Sequence, residues 1–104
     1  MVKFIGVIRL KPGYDPDETW ELWRTKHTEW YKKLARPELK QYTIHRVIKT
    51  RGDSDIFGIS ESVFDDLESC ERALDKFIGA PPDEVLPRFQ PDRLIVEYQE
   101  IPLD

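Results

Sequence analysis

The sequence predicts an α+β domain of element order βαββαβ, and three observations carry that prediction. Two stretches keep apolar residues at helical spacing, each opening on a capping aspartate and closing before a proline. Four stretches rich in β-branched and aromatic residues flank them, with turn residues at the junctions. The length, 104 residues, suits one domain with one core, so residues 1–104 are expected to form a single unit.

Val2 to Leu10 is the first strand, stopped by Lys11-Pro12-Gly13. Asp15-Pro16-Asp17-Glu18 announces a helix, with a cap, proline at the first helical position and acids in the first turn, and Glu18 stands where a capping box needs it. That helix is predicted to run unbroken to about Ala35, before Pro37. Leu39 to Thr50 alternates loosely as a second strand and meets a hairpin-length turn at Arg51-Gly52-Asp53-Ser54. Ile56 to Phe64 returns as the third strand. Asp65-Asp66 then cap a second helix whose apolar stripe is Leu67, Cys70, Leu74, Phe77 and Ile78, ending at Gly79 and Pro81. Pro82 to Pro91 is a connector with room for one short helical turn, and Arg93 to Ile101 is the fourth strand.

This order is the ferredoxin-like arrangement, a four-stranded antiparallel sheet with both helices on one face. The strands carry apolar residues at both parities: Phe4, Ile8 and Leu10 against Ile5 and Val7, and Leu94, Val96 and Tyr98 against Ile95 and Ile101. A small sheet apolar on both faces is expected to pair its uncovered face with a second copy, giving a homodimer.

The run Trp20-x-x-Trp23-x-x-x-His27-x-x-Trp30-Tyr31 gathers all three tryptophans and one of the two histidines in the first helix. At about 100° per residue, positions 20, 23, 27, 30, 31 and 34 share one face. Glu21, Thr25, Lys26, Glu29, Lys32 and Lys33 take the other. The buried face thus carries a titratable imidazole between large rings.

Composition narrows the function. A net charge of −4, from 20 acidic and 16 basic residues without a basic cluster, gives no footprint for nucleic acid. No apolar run is long enough to span a bilayer, and the N-terminus Met1-Val2-Lys3-Phe4 lacks a signal-peptide pattern, so a cytoplasmic protein without membrane contact is expected. The sole cysteine, Cys70, cannot form an intramolecular disulfide and is expected in the core. His27 and His45 lack a close-spaced carboxylate, so no metal site is expected. There is no glycine-rich phosphate loop, nucleophile elbow or triad-like constellation, and no cofactor is expected.

Trp20-x-x-Trp23-x-x-x-His27 followed by Leu34, Leu39 and Tyr42 resembles the signature of the EthD-like family, an aromatic helix with one histidine ahead of a strand-borne tyrosine. Gly58-Ile59-Ser60-Glu61-Ser62-Val63-Phe64-Asp65-Asp66-Leu67-Glu68-Ser69 is similar to that family's third strand running into its second helix. The resemblance covers nearly the whole chain. It implies a dimeric α+β barrel, two sheets closing face to face, with a small-molecule cavity between sheet and helices of each subunit. Relatives include muconolactone isomerases and fungal polyketide dehydratases. The loop Ala35-Arg36-Pro37-Glu38 departs from the pattern in having no glycine.

Two readings of each candidate follow. His27, ordinarily titrating near pH 6.5, is either a general acid/base or a core histidine bonded to a backbone carbonyl. Tyr42 either donates to a developing enolate or packs across strands. Trp23, Trp30 and Tyr31, with Trp20, are core residues of which one or two are expected to wall a pocket for a small hydrophobic or aromatic molecule. Arg46 shares a strand face with Tyr42 and Ile44. It either binds a carboxylate or phenolate in the cavity or pairs with Glu61 or Glu97 at a dimer face. Two functions result: a cofactor-free isomerase, dehydratase or cyclase acting on a cyclic, aromatic or polyketide-like compound, or a non-catalytic small-molecule-binding or accessory protein.

Overall fold

A computed structural model describes residues 1–103, in the order β1 (Val2–Leu10), α1 (Pro16–Leu22), a π-helical turn (Trp23–His27), α2 (Thr28–Ala35), β2 (Gln41–Arg46), β3 (Ile56–Phe64), α3 (Leu67–Asp75), a 3-10 turn (Leu86–Arg88) and β4 (Phe89–Glu97). The strands form one antiparallel sheet in the order β2-β3-β1-β4, so the fold is the expected ferredoxin-like one. No helix among the described residues is long and apolar enough to cross a membrane.

Local signals set the helix starts. Asp15 accepts from the Glu18 N–H at 2.8 Å, while the Glu18 side chain turns to Arg88 instead of closing a capping box. Asp66, not Asp65, caps α3, and Ser69 answers it in a reciprocal box that buries the serine. Leu67 and Ile78, both expected on the buried stripe, are exposed. Leu67 lies in the first turn beside the cap and Ile78 lies beyond the end of α3, so neither reaches the layer where Cys70 and Ala73 pack.

The first helix is not the unbroken α-helix expected. The Thr28 N–H reaches the Trp23 carbonyl five residues back, and the Thr28 hydroxyl donates to the same carbonyl at 2.6 Å. Thr25 likewise donates its hydroxyl to the Glu21 carbonyl at 2.7 Å. Such side-chain competition for helical carbonyls loosens the ladder, here into one wide turn that ends at His27.

Strand limits also move. β2 stops at Arg46 rather than Thr50, with a single further bond from the Val47 N–H to the Phe57 carbonyl at 2.9 Å. β4 spans Phe89–Glu97 rather than Arg93–Ile101, because its register follows β1 from Leu10 opposite Phe89 to Val2 opposite Glu97. Pro91 is tolerated within β4 because that strand lies at the sheet edge.

Even positions of β1 and β3 face the helices, and their packing falls into two clusters. Ile8, Trp23, Val85 and Phe89 form one, and Phe64, Cys70 and Ala73 the other, with Phe4 and Leu74 against it. The two do not merge. The gap between them is a cavity lined from one side by Ile8, Trp23 and Phe89 and from the other by Phe4 and Leu74.

Candidate functional site

A cavity of about 360 Å³ opens between the helices and the sheet, within the range typical of small-molecule sites. The first helix contributes Trp23, His27, Trp30 and Tyr31 to its wall, and the sheet floor contributes Gly6, Ser60, Tyr42 and Arg93. Phe77, just beyond α3, and Leu86 and Phe89, from the segment leading into β4, close the far side. Trp20 and Arg46 are not among the lining residues.

His27 sits at the end of the π-helical turn and is 5% exposed. Its ring stacks on Trp30, centroids 5.3 Å apart, and meets Phe89 edge-on at 5.7 Å. Nδ1 lies 2.8 Å from Asp83 Oδ2. A carboxylate only accepts, so Nδ1 carries the proton and donates it, leaving Nε2 with its lone pair and no hydrogen-bond partner among the described residues. Asp83 is itself held: its Oδ1 accepts from the Val85 and Leu86 N–H groups at 3.2 and 2.9 Å. The partner is thus a side-chain carboxylate rather than the backbone carbonyl of the core-histidine reading, and it comes from the connector before β4, where Asp83 starts the turn into Leu86–Arg88. An aspartate two and three residues ahead of the N–H groups of a short turn was the available signal.

Burial pushes the His27 imidazole below its ordinary value, and the Asp83 charge and hydrogen bond offset part of that effect. The folded value being the lower one, the unfolded chain takes up the proton first. The contribution to stability is therefore complete above about pH 6.5 and declines as pH falls through the folded value. Asp83→Asn removes the influences that raise the imidazole, so His27 is expected to titrate lower still. Proton NMR of the two histidines, assigned with a His45→Gln variant, checks this; an upward move in the Asn variant would contradict the assigned pair.

Tyr42 projects from β2 into the same cavity. Its hydroxyl accepts from Trp23 Nε1 at 3.4 Å, and desolvation pushes it up to about 12, so it is a neutral donor near pH 7. Tyr31 spends its hydroxyl on Ser62 at 2.7 Å and presents only its ring, stacked on Tyr42 at 4.6 Å and Phe77 at 5.2 Å. Burial raises the Tyr31 hydroxyl well above the ordinary phenol range.

Arg46 takes neither of the places expected for it. It faces the helices, as parity required, but its guanidinium bonds Asp17 Oδ1 at 2.6 Å at the start of α1. His45, on the opposite face, bonds Glu61 Oε2 at 2.6 Å, and Lys3 bonds Glu61 Oε1 at 3.1 Å. The two histidines therefore lie on opposite sides of the sheet. Asp83, Ser60, Arg93, Phe77 and Phe89 are site residues that sequence reasoning missed.

An antiparallel ferredoxin-like sheet with a cavity beneath an aromatic helix defines a class, and the chain has the fold of the EthD-family and related α+β barrel proteins. An EthD-family protein from Bacillus halodurans C-125 superposes with a TM-score of 0.66 at 19% identity, covering 95% of this chain and 99% of that one. An EthD-like protein from Ralstonia eutropha JMP134 gives 0.63 at 16% identity, over 92% and 90% of the two chains. SnoaB, a cofactor-independent oxygenase from Streptomyces nogalater, gives 0.59 at 17% identity, over 96% and 94%. No protein-family profile and no curated protein sequence matches the chain. At such identities the likeness is one of fold.

Proposed function

We propose that this protein is an enzyme that moves protons on a small cyclic, aromatic or polyketide-like compound by side-chain acid/base chemistry, as in isomerisation, dehydration or cyclisation. The observation that carries the proposal is the Asp83–His27 pair, which leaves an imidazole nitrogen without a partner among the described residues at a mostly apolar cavity. Nε2 takes a proton from a carbon next to a carbonyl, and the Tyr42 hydroxyl donates a hydrogen bond to the oxygen where the electron pair collects. The imidazolium, stabilised by Asp83, then returns its proton to a different carbon or to a departing hydroxyl. SnoaB, described as cofactor-independent, supports the view that this scaffold suits chemistry done by side chains.

The test is hydrogen–deuterium exchange at carbon. Cyclic ketones, lactones and phenolic ketones incubated in D2O are expected to lose the proton NMR signal of the acidic C–H with the wild-type protein and not with His27→Gln. Equal rates with both proteins, while the compounds still bind, would leave a binding or accessory protein as the reading.

The protein is further proposed to act as a homodimer of single-domain subunits. Ile5, Val7, Ile59, Leu94 and Val96 project from the sheet face away from the helices, and Leu94 is 50% exposed. A stable interface there would bury about 1,200–2,000 Å² in total. Light scattering is expected to give twice the chain mass at micromolar concentration, and Leu94→Arg to give a monomer. A monomeric wild type would remove this claim.

A further inference from the structure

The cavity floor carries two polar groups that acid/base chemistry at His27 does not use. Ser60, Gly6 and Arg93 lie side by side across β3, β1 and β4, since Gly6 pairs with Ser60 on one side and with Arg93 on the other. All three line the cavity. A Cβ at Gly6 would come within 2.6 Å of the Ser60 Oγ, so that hydroxyl leans over the glycine on the cavity side. The row is thus a notch in the floor, with the Ser60 hydroxyl on one side and Arg93, an exposed residue of the edge strand, on the other.

Among the described residues, Arg93 makes no ion pair and the Ser60 hydroxyl makes no hydrogen bond. The other strand arginines are all committed: Arg9 to Asp55 and Asp92, and Arg46 to Asp17. Among the described residues that line the cavity, Arg93 is also the one arginine or lysine on a wall built mostly from aromatic and aliphatic side chains. A guanidinium beside an apolar cavity, next to a small donor and a side-chain-free backbone, suits a planar oxyanion.

We infer that the ligand carries an oxyanion, a carboxylate or phenolate, seated over Gly6 between Arg93 and Ser60, with its apolar ring lodged among Trp30, Phe77 and Phe89. This rests on the reading of the cavity as a ligand site and names the substrate class for it. The anion holds one end of the molecule at the floor, and His27 meets the ring from the helix side. The chain's net charge of −4 works against anions in general, so a preference for an anionic ligand must arise locally.

The probes are 2-naphthoate and its neutral analogue 2-naphthamide, measured by titration calorimetry at low salt. Wild-type protein is expected to bind the acid about ten-fold tighter than the amide, as a charge-assisted pair provides. Arg93→Gln should abolish that preference while leaving amide affinity unchanged, and Arg93→Lys should keep part of it. The preference should shrink as salt is raised. Equal binding of acid and amide by the wild type, or a preference that survives in Arg93→Gln, would overturn the inference and leave the cavity reading intact. Failure of both probes to bind would overturn the cavity reading and this inference together.

Discussion

Replacing Trp23 by alanine is expected to cost about 3–5 kcal/mol, the range for removing a large aromatic from a packed core. Against a total stability of about 5–15 kcal/mol for a domain of ordinary stability, that is enough to populate the unfolded chain under mild denaturant. The ring is fully buried and meets Trp20 edge-on at 5.5 Å, Phe57 at 6.0 Å and Phe89 at 5.0 Å. It also rests on Gly58, where an added Cβ would lie 2.5 Å from the ring and 2.6 Å from the His45 carbonyl oxygen. Contact with the glycine backbone leaves the ring no room to be replaced by a shift of its neighbours. Urea unfolding should show a lower midpoint with an unchanged slope. A loss below about 1 kcal/mol would mean that the surroundings collapse onto the vacated space far more completely than this packing allows.

The second large effect is on chemistry. His27→Gln is expected to lower the rate of carbon–hydrogen exchange by about 10²–10⁴-fold, the usual contribution of a positioned general base. Glutamine is the informative replacement because its amide can still donate to Asp83. Alanine would strand a largely buried carboxylate and destabilise the fold by a separate route. In the wild type the rate should climb as His27 loses its proton and level off above about pH 6.5, since burial lowers the imidazole. A variant with unchanged rate, or a wild-type rate that falls across that rise, would return His27 to an ordinary core role.

Much of the frame was legible in the chain because it depends on neighbours a few positions apart. Asp15 and Asp66 act on N–H groups three residues on. The stripe from Trp20 to Leu34 buries or half-buries each of its members as the helical period demands. Part of the local structure was also written there and missed, since Thr25 and Thr28, each able to bond a preceding carbonyl, mark where the helix widens.

By itself, then, the sequence determined the element order, the inward face of the first helix, and the shared parity of Tyr42, Ile44 and Arg46. The tertiary structure alone decided that Arg46 turns to Asp17, that Asp83 rather than a strand residue holds His27, that β4 begins at Phe89, and that Ser60 and Arg93 flank Gly6. The physical reason is range. Caps and periodicity act over about four residues, whereas His27 and Asp83 are 56 positions apart and meet only when β4 has paired with β1 and drawn its connector across the open end of the cavity.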